Sequence, residues 1–340
     1  MLRRDVLSGA AALAIGQVLP TQVRAAYGDI PPLKTTVPYP LGVAATDLQI
    51  RDSSWGPLAT THFSQLTAEW EMKMEYILQT DGSLKFDRAD RLVDFAEINK
   101  MSVHGHTLIW YAQDGVYFQK LANKTDAFLN AYVDYITRVM TRYRGKIRGW
   151  DVVNEPVLND GSALRPCLWR QVLGDDYIGL AFEAAHRADP AAVLFLNDYN
   201  LEFTPKKRAT FLKLVETLLK NGAPIHGIGT QTHIDVSLAP GMIRTALKDI
   251  ASLGLKVHVS EVDISIRGSR NPNIAELRMK QMRLLDEILS AYNDIPARQR
   301  YGLTVWGLRD SDSWLNSKQA GNALLPDEPL LFDRLGRPKP

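Results

Sequence analysis

The sequence predicts an α/β fold, a single (β/α)8 TIM barrel, and three observations carry that expectation. Eight short apolar runs recur through the 340 residues, at 41–46, 63–69, 101–110, 147–155, 192–198, 225–233, 256–264 and 301–308. Amphipathic stretches of helical periodicity separate most of them, which is the alternation that closes a parallel barrel through right-handed crossovers. The first run, LGVAATD, lacks the Gly-rich phosphate loop expected of a doubly wound open sheet, and no flexible linker divides residues 30–340.

In chain order, a Pro-rich lead-in at 30–40 precedes the first run, and helix-like patterns then occupy 87–100, 125–143, 175–188, 205–221, 240–253 and 273–292. In the fourth of these, Phe211, Leu212, Val215, Leu218 and Leu219 keep the spacing of one helical face, with Thr204 as N-cap and Pro205 at the first helical position. In WDVVNEPV, Val152 and Val153 favour extended backbone. Pro156 is expected to hold Glu155 extended and to end the strand on its carboxylate. VHVSEVDI is built the same way and carries Glu261. After the eighth run comes the long loop DSDSWLNSKQAGNALLPDEPLLFD, and then Arg337, Pro338, Lys339 and Pro340. The outer helix after the last strand is therefore expected to be missing or truncated.

The composition, 45% hydrophobic and 23% charged, is that of an ordinary globular chain. Its formal charge is +2, and residues 1–25 hold Arg3, Arg4 and Arg24 against Asp5, so the remainder is neutral. A neutral chain has no global field for nucleic acid or anionic membranes, and neither is an expected partner. Residues 1–26 have a basic start, an apolar run at 6–19 and small residues at Ala25 and Ala26. This pattern, with Arg3-Arg4 before Val6-Leu7, resembles a bacterial twin-arginine export signal. The run is too short to span a bilayer. A periplasmic or secreted protein results, with the catalytic domain at 27–340. Cys167 is the single cysteine, so no intramolecular disulfide forms, and it is expected to pack as a small side chain.

The chemistry lies at the strand ends. From the second run onward these carry Glu69, His106 with Trp110, Asn154 with Glu155, Asn197 with Asp198, Gln231 with His233, Glu261 with Asp263, and Trp306. Barrel enzymes build their sites at that rim. Strands four and seven face each other across a barrel, so Glu155 and Glu261 are placed for paired-carboxylate chemistry such as glycoside hydrolysis. A lone strand-end glutamate reads more simply as an ion-pair partner, and a lone Trp306 as core. His104 and His106 share a face that could seed a metal site, but the sequence offers no matching third ligand. No metal and no cofactor are expected.

The segments TAEWEMKME, GHTLIW, WDVVNE, NDYN, GIGTQTH, VSEVD and VWGLRDSDSW resemble, in content and order, the glycoside hydrolase family 10 endo-1,4-β-xylanases. The resemblance runs from about residue 41 to the C-terminus. It implies a retaining hydrolase of xylan or xylo-oligosaccharides, acting as a monomer, with Glu155 as acid/base and Glu261 as nucleophile. It further implies that His233 bridges Glu261 and Asp263, and that Asn154 binds the 2-hydroxyl of the reacting sugar. Glu69, Lys73, His106, Trp110, Gln113, Gln231, Trp306 and Trp314 fall at substrate-binding positions, and Tyr199 at a stacking position on the leaving-group side. Three residues depart from the family pattern. Trp70 stands where asparagine is usual, Tyr111 where histidine is, and Met74 where tryptophan is common. Trp70 is the expected source of an altered non-reducing side. Gln113 and Trp314 resemble residues that crowd out the hydroxymethyl group of glucose, which disfavours cellulose or another β-1,4 glycan. A non-catalytic glycan-binding protein would be expected to have lost one of the two glutamates.

Overall fold

The computed structural model describes residues 30–267, 273–317 and 326–339, so the export-signal expectation lies outside the described residues. Nine parallel strand segments follow one another: β1 Leu41–Ala45, β2 Gln65–Ala68, β3 Ser102–Trp110, β4 Ile147–Asn154, β5 Val193–Asp198, β6 Gly227–Thr230, β7 His233–Asp235, β8 Lys256–Ser265 and β9 Arg300–Val305. Neighbours pair in sequence order from β1 to β6, and the ring closes through β6 with β8 and β9 with β1. β6 and β7 are two halves of one stave, so the barrel has eight. The break falls at Thr232, whose φ of 56° lies in the left-handed region.

Seven outer helices are described: α1 Trp55–His62, α2 Asp87–Ile98, α3 Thr125–Arg142, α4 Tyr177–Ala188, α5 Pro205–Lys220, α6 Met242–Ala251 and α7 Ile274–Asp294. Each buries a three-to-four residue stripe; in α6 this is Ile243, Ala246, Leu247 and Ile250. Pro205 opens α5 as expected, but the Thr204 hydroxyl makes no capping bond. Inside the H-G-H segment of β3, Gly105 is required by packing: a Cβ there would lie 2.2 Å from the Trp150 ring.

Among the described residues no α-helix follows β9. Two 3-10 turns, Asp310–Asp312 and Trp314–Asn316, come next. Segment 326–339 then runs back along the rim, with Asp310 N–H donating to the Phe332 carbonyl and Ile264 N–H to Pro329. Leu330 and Phe332 are buried there, and the Phe332 ring lies 5.1 Å from that of His62 at the end of α1. This segment thus covers part of the seam that an eighth helix would close. Cys167 is half-buried and unpaired.

Candidate active site

The rim at the C-terminal ends of β2, β3, β4, β6–β7, β8 and β9 gathers the side chains singled out by the sequence. Glu155 and Glu261 are both almost fully buried. Asn154 donates to Glu155 Oε1 (3.2 Å), and Gln231 Nε2 donates to the same oxygen (2.9 Å). Trp110 Nε1 donates to Glu155 Oε2 at 2.9 Å. Every donor to this carboxylate is a neutral group.

One local expectation fails at this point. Glu155 is not extended before Pro156; its φ is 58°. β4 ends at Asn154, and the left-handed step lets two consecutive side chains face the same cavity, which a regular strand forbids. A non-glycine residue stays in that region only when its surroundings hold it there. Its N–H donates to the Asn197 carbonyl (2.8 Å), and Arg165 Nε donates to its carbonyl (3.1 Å). The local bias imposed by Pro156 is weaker than these two backbone hydrogen bonds.

Glu261 lies inside β8, where the pairing with β9 slips by one residue between Val259 and Val262, and it meets a different environment. Asn197 Nδ2 donates to Oε1 (2.9 Å), and His233 Nε2 lies 3.3 Å from Oε2. His233 Nδ1 is 2.9 Å from Asp263 Oδ2, an ion-pair contact in which the N–H is not aimed squarely at the oxygen. Trp314 Nε1 donates to the same Asp263 oxygen (2.8 Å). Burial alone would raise the Glu261 pKa, but the charge of His106, the His233 hydrogen bond and the charges of His233 and Lys73 hold it below its usual value. For His233, burial acts to lower the pKa, but Asp263 and then Glu261 overcome it and push it up to about 10. His233 thus contacts both acids.

Around the two glutamates, Trp306 is buried and meets His106 and His233 edge-on at 5.3 and 6.2 Å. Trp314 is 41% exposed and forms a wall over His233 at 5.4 Å. Lys73 is buried, with Nζ 4.3 Å from the Trp70 ring centre and 4.9 Å from that of Trp110. Burial lowers its pKa, while Glu261, Glu69 and Glu155 oppose that shift. Glu69 is raised to about 7, mainly by burial. Gln113 accepts a hydrogen bond from the Glu75 N–H, which fixes it beside the turn carrying Lys73. Tyr199 lies apart from this group, with Lys207 Nζ 3.6 Å from its ring centre and its hydroxyl bonded to Asn159 and Arg165.

Two site residues had no role assigned from sequence. Asn197, at the end of β5, donates to Asn154 Oδ1 (2.9 Å) and to Glu261 Oε1, so Asn197 and Asn154 together link the two glutamates. Its position at a strand end was the available signal. Arg165 bonds Glu155, Val157, Asn159 and Tyr199 and covers the Tyr111 ring at 4.1 Å. Nothing in its loop sequence marked it.

Fold and rim together define a (β/α)8 barrel with two buried, bridged carboxylates at its C-terminal end. The sequence profile described as Glycosyl hydrolase family 10 matches residues 34–340, and the chain belongs to that family. A β-1,4-xylanase of Dictyoglomus thermophilum is 38% identical, over 92% of this chain and 89% of its own length. "Exoglucanase XynX" of Acetivibrio thermocellus is 35% identical over 96% of this chain, which spans only 30% of that relative. Several of the most similar relatives are long in this way, and the chain spans about a third of them or less. Among solved structures, xylanase XynB of Paenibacillus barcinonensis superposes with a TM-score of 0.84 at 32% identity, covering 92% of this chain and 96% of that one. TsXylA of Thermoanaerobacterium saccharolyticum, a glutamate-to-alanine mutant in complex with xylotriose, gives 0.82 at 35%, covering 92% and 97%.

Proposed function

We propose that the chain is a retaining endo-β-1,4-xylanase that hydrolyses xylan by double displacement. The observation that carries this reading is the pair Glu155 and Glu261, linked through Asn154 and Asn197, with neutral donors around one and cations around the other. In the first step the Glu261 carboxylate attacks the anomeric carbon while Glu155 gives its proton to the departing glycosidic oxygen. This leaves a glycosyl ester on Glu261 and frees the reducing-end fragment. In the second step Glu155, now a carboxylate, takes a proton from water as the water oxygen attacks the same carbon. Glu261 leaves as carboxylate and Glu155 is protonated again. Asn154 is placed to bind the 2-hydroxyl, and Trp306 and Trp314 wall the glycone side.

The test is a product profile from xylan and defined xylo-oligosaccharides, with cellulose and β-glucan alongside. Internal cleavage of xylan with retention of configuration supports the proposal. Preference for cellulose, the reading that the name of the Acetivibrio relative suggests, overturns it.

We further propose that Trp70 narrows the second non-reducing-side subsite. Its half-buried ring covers the Lys73 ammonium and leans on Tyr76 at 6.2 Å, which supports this reading. Trp70→Asn should raise kcat/KM on xylotriose by roughly tenfold. Kinetics equal to the parent would sink the idea. We also propose that residues 1–26 direct export. Arg3→Lys with Arg4→Lys should leave the chain in the cytoplasm, and a new N-terminus near residue 26 should mark the exported form. The exported chain should run as a monomer in gel filtration.

A further inference from the structure

The sequence offered His104 no metal partners beyond its neighbour in the H-x-H segment. In the fold His106 turns to other work, while two different residues arrive. β4 brings Asp151 and β8 brings His258, so that one ligating atom from each of His104, Asp151 and His258 lies within 4.8 Å of the others. All three side chains are at most 1% exposed.

The pattern of satisfied and unsatisfied atoms is specific. His104 Nδ1 pairs with the Tyr301 hydroxyl (3.1 Å), His258 Nε2 with the Thr304 hydroxyl (2.9 Å), and Asp151 Oδ2 with His106 Nδ1 (2.8 Å). The atoms left over are His104 Nε2, Asp151 Oδ1 and His258 Nδ1, and all three are buried without a hydrogen-bond partner. His104 Nε2 and Asp151 Oδ1 are 3.1 Å apart, yet they are not aligned as donor and acceptor. Buried polar atoms are normally paired, so three orphans converging on one point require an explanation. A ligated imidazole characteristically gives its second nitrogen to an orienting group, and both histidines here do so.

We propose that His104, Asp151 and His258 form a structural site for a divalent transition metal of the zinc type, inside the barrel and below the catalytic rim. Two imidazole nitrogens and one carboxylate oxygen suit zinc, cobalt or nickel, and disfavour calcium and magnesium, which take all-oxygen shells. Ligands about 2.0–2.2 Å from a common ion sit roughly 3.3 Å apart, so the three atoms must draw together by up to about 1.5 Å. Small rotations of the two rings supply this. Asp151 then has two tasks: Oδ1 holds the ion, and Oδ2 holds His106 beneath the sugar site.

The tag-free full chain is expressed with zinc sulfate in the medium, dialysed against zinc-free buffer and assayed for metal by mass spectrometry. About one zinc per chain is expected, with X-ray absorption showing two imidazoles and light-atom ligands. Zinc-loaded chain should melt above chain grown with chelator. Both the metal and this shift should be lost in His258→Gln. Background zinc in the native chain, or zinc retained equally by His258→Gln, overturns the site and leaves a metal-free polar cluster. If His258→Gln fails to fold, the absorption spectrum of the native chain decides, and a spectrum without imidazole scattering overturns the proposal.

Discussion

The surroundings of Glu261 and Glu155 differ in backbone and in charge, although both carboxylates open onto one cavity. Glu261 lies within β8, which continues as strand to Ser265 despite a one-residue slip against β9, and it is faced by His233, His106 and Lys73. Glu155 leaves its strand by a left-handed step, and its oxygens meet Trp110, Asn154 and Gln231, none of which carries a charge. A nucleophile must remain ionised in a dry site, and neighbouring cations offset the desolvation that would neutralise it. A group that donates and then accepts a proton is better held by neutral dipoles, which favour neither state by a full charge. In this way one barrel rim can assign two chemically identical side chains to different duties.

Removing the two carboxylates should break this comparison most sharply. Glu261→Ala should lose roughly 10⁵-fold or more in kcat on every substrate, because no covalent step remains. Glu155→Ala should be as inactive on xylan, yet keep a burst of product from a nitrophenyl xylobioside, whose leaving group needs no proton. Rapid-quench kinetics would read the burst. Near-normal turnover by Glu261→Ala would refute the nucleophile assignment.

Asn197 joins the two halves by donating to Glu261 and to Asn154, and Asn197→Ala tests whether that bridge matters. Loss of one oriented donor at the reacting centre should lower kcat by about 10²–10³-fold with little change in KM. A variant that loses only KM would show that the bridge serves binding instead.

The cationic half also has a pH signature. His233 is raised from 6.5 to about 10, so the stability that it gains from Asp263 and Glu261 is complete below pH 6.5 and is lost as pH rises through about 10. Glu261 is held low, so its contribution is present above about 4.5 and is lost as pH falls through its lowered value. Thermal melts of parent and His233→Asn should therefore differ most between about pH 4.5 and 6.5 and converge towards pH 10. A constant gap across that range would show that the coupling is absent.

How much of this was legible in the sequence follows from the range of each interaction. The eight staves and the glutamates at their ends were readable because apolar runs and polar terminations are local patterns. The bridging of Glu261 and Asp263 by His233 came from the resemblance, since the sequence pattern places neighbouring strands side by side without fixing the register that sets His233 opposite Asp263. Asn197 was visible as a strand-end residue, but its two partners lie 43 and 64 residues away. Asp151 was hidden inside WDVVNE because its partners His104, His106 and His258 converge on it from two other strands. Pro156 misled the reading of Glu155, since a local steric rule was outweighed by the hydrogen bond that Glu155 N–H donates to Asn197 and the one its carbonyl accepts from Arg165.

Arg165 marks the edge of the Glu155 half, and its replacement is the mildest of these tests. Its guanidinium donates to the carbonyls of Glu155 and Val157, to Asn159 and to Tyr199, while its face covers Tyr111. Lysine can reach one of these acceptors but cannot supply the fork or the planar stack. Arg165→Lys should therefore loosen the left-handed step without removing any reacting atom. A loss of about tenfold in kcat is expected if Glu155 swings by a fraction of an ångström, because positioning errors of 1 Å cost up to about 10²-fold. The melting temperature should fall by roughly 2–4 °C, the shift that about 1 kcal/mol produces in a large domain. The informative readout is the split between substrates. On the proposed mechanism xylan hydrolysis draws a proton from Glu155, so it should suffer more than the nitrophenyl xylobioside burst, which relies on Glu261 alone. Equal losses on both would place the effect of Arg165 in substrate binding at Tyr111 and Tyr199, rather than in the aim of the acid.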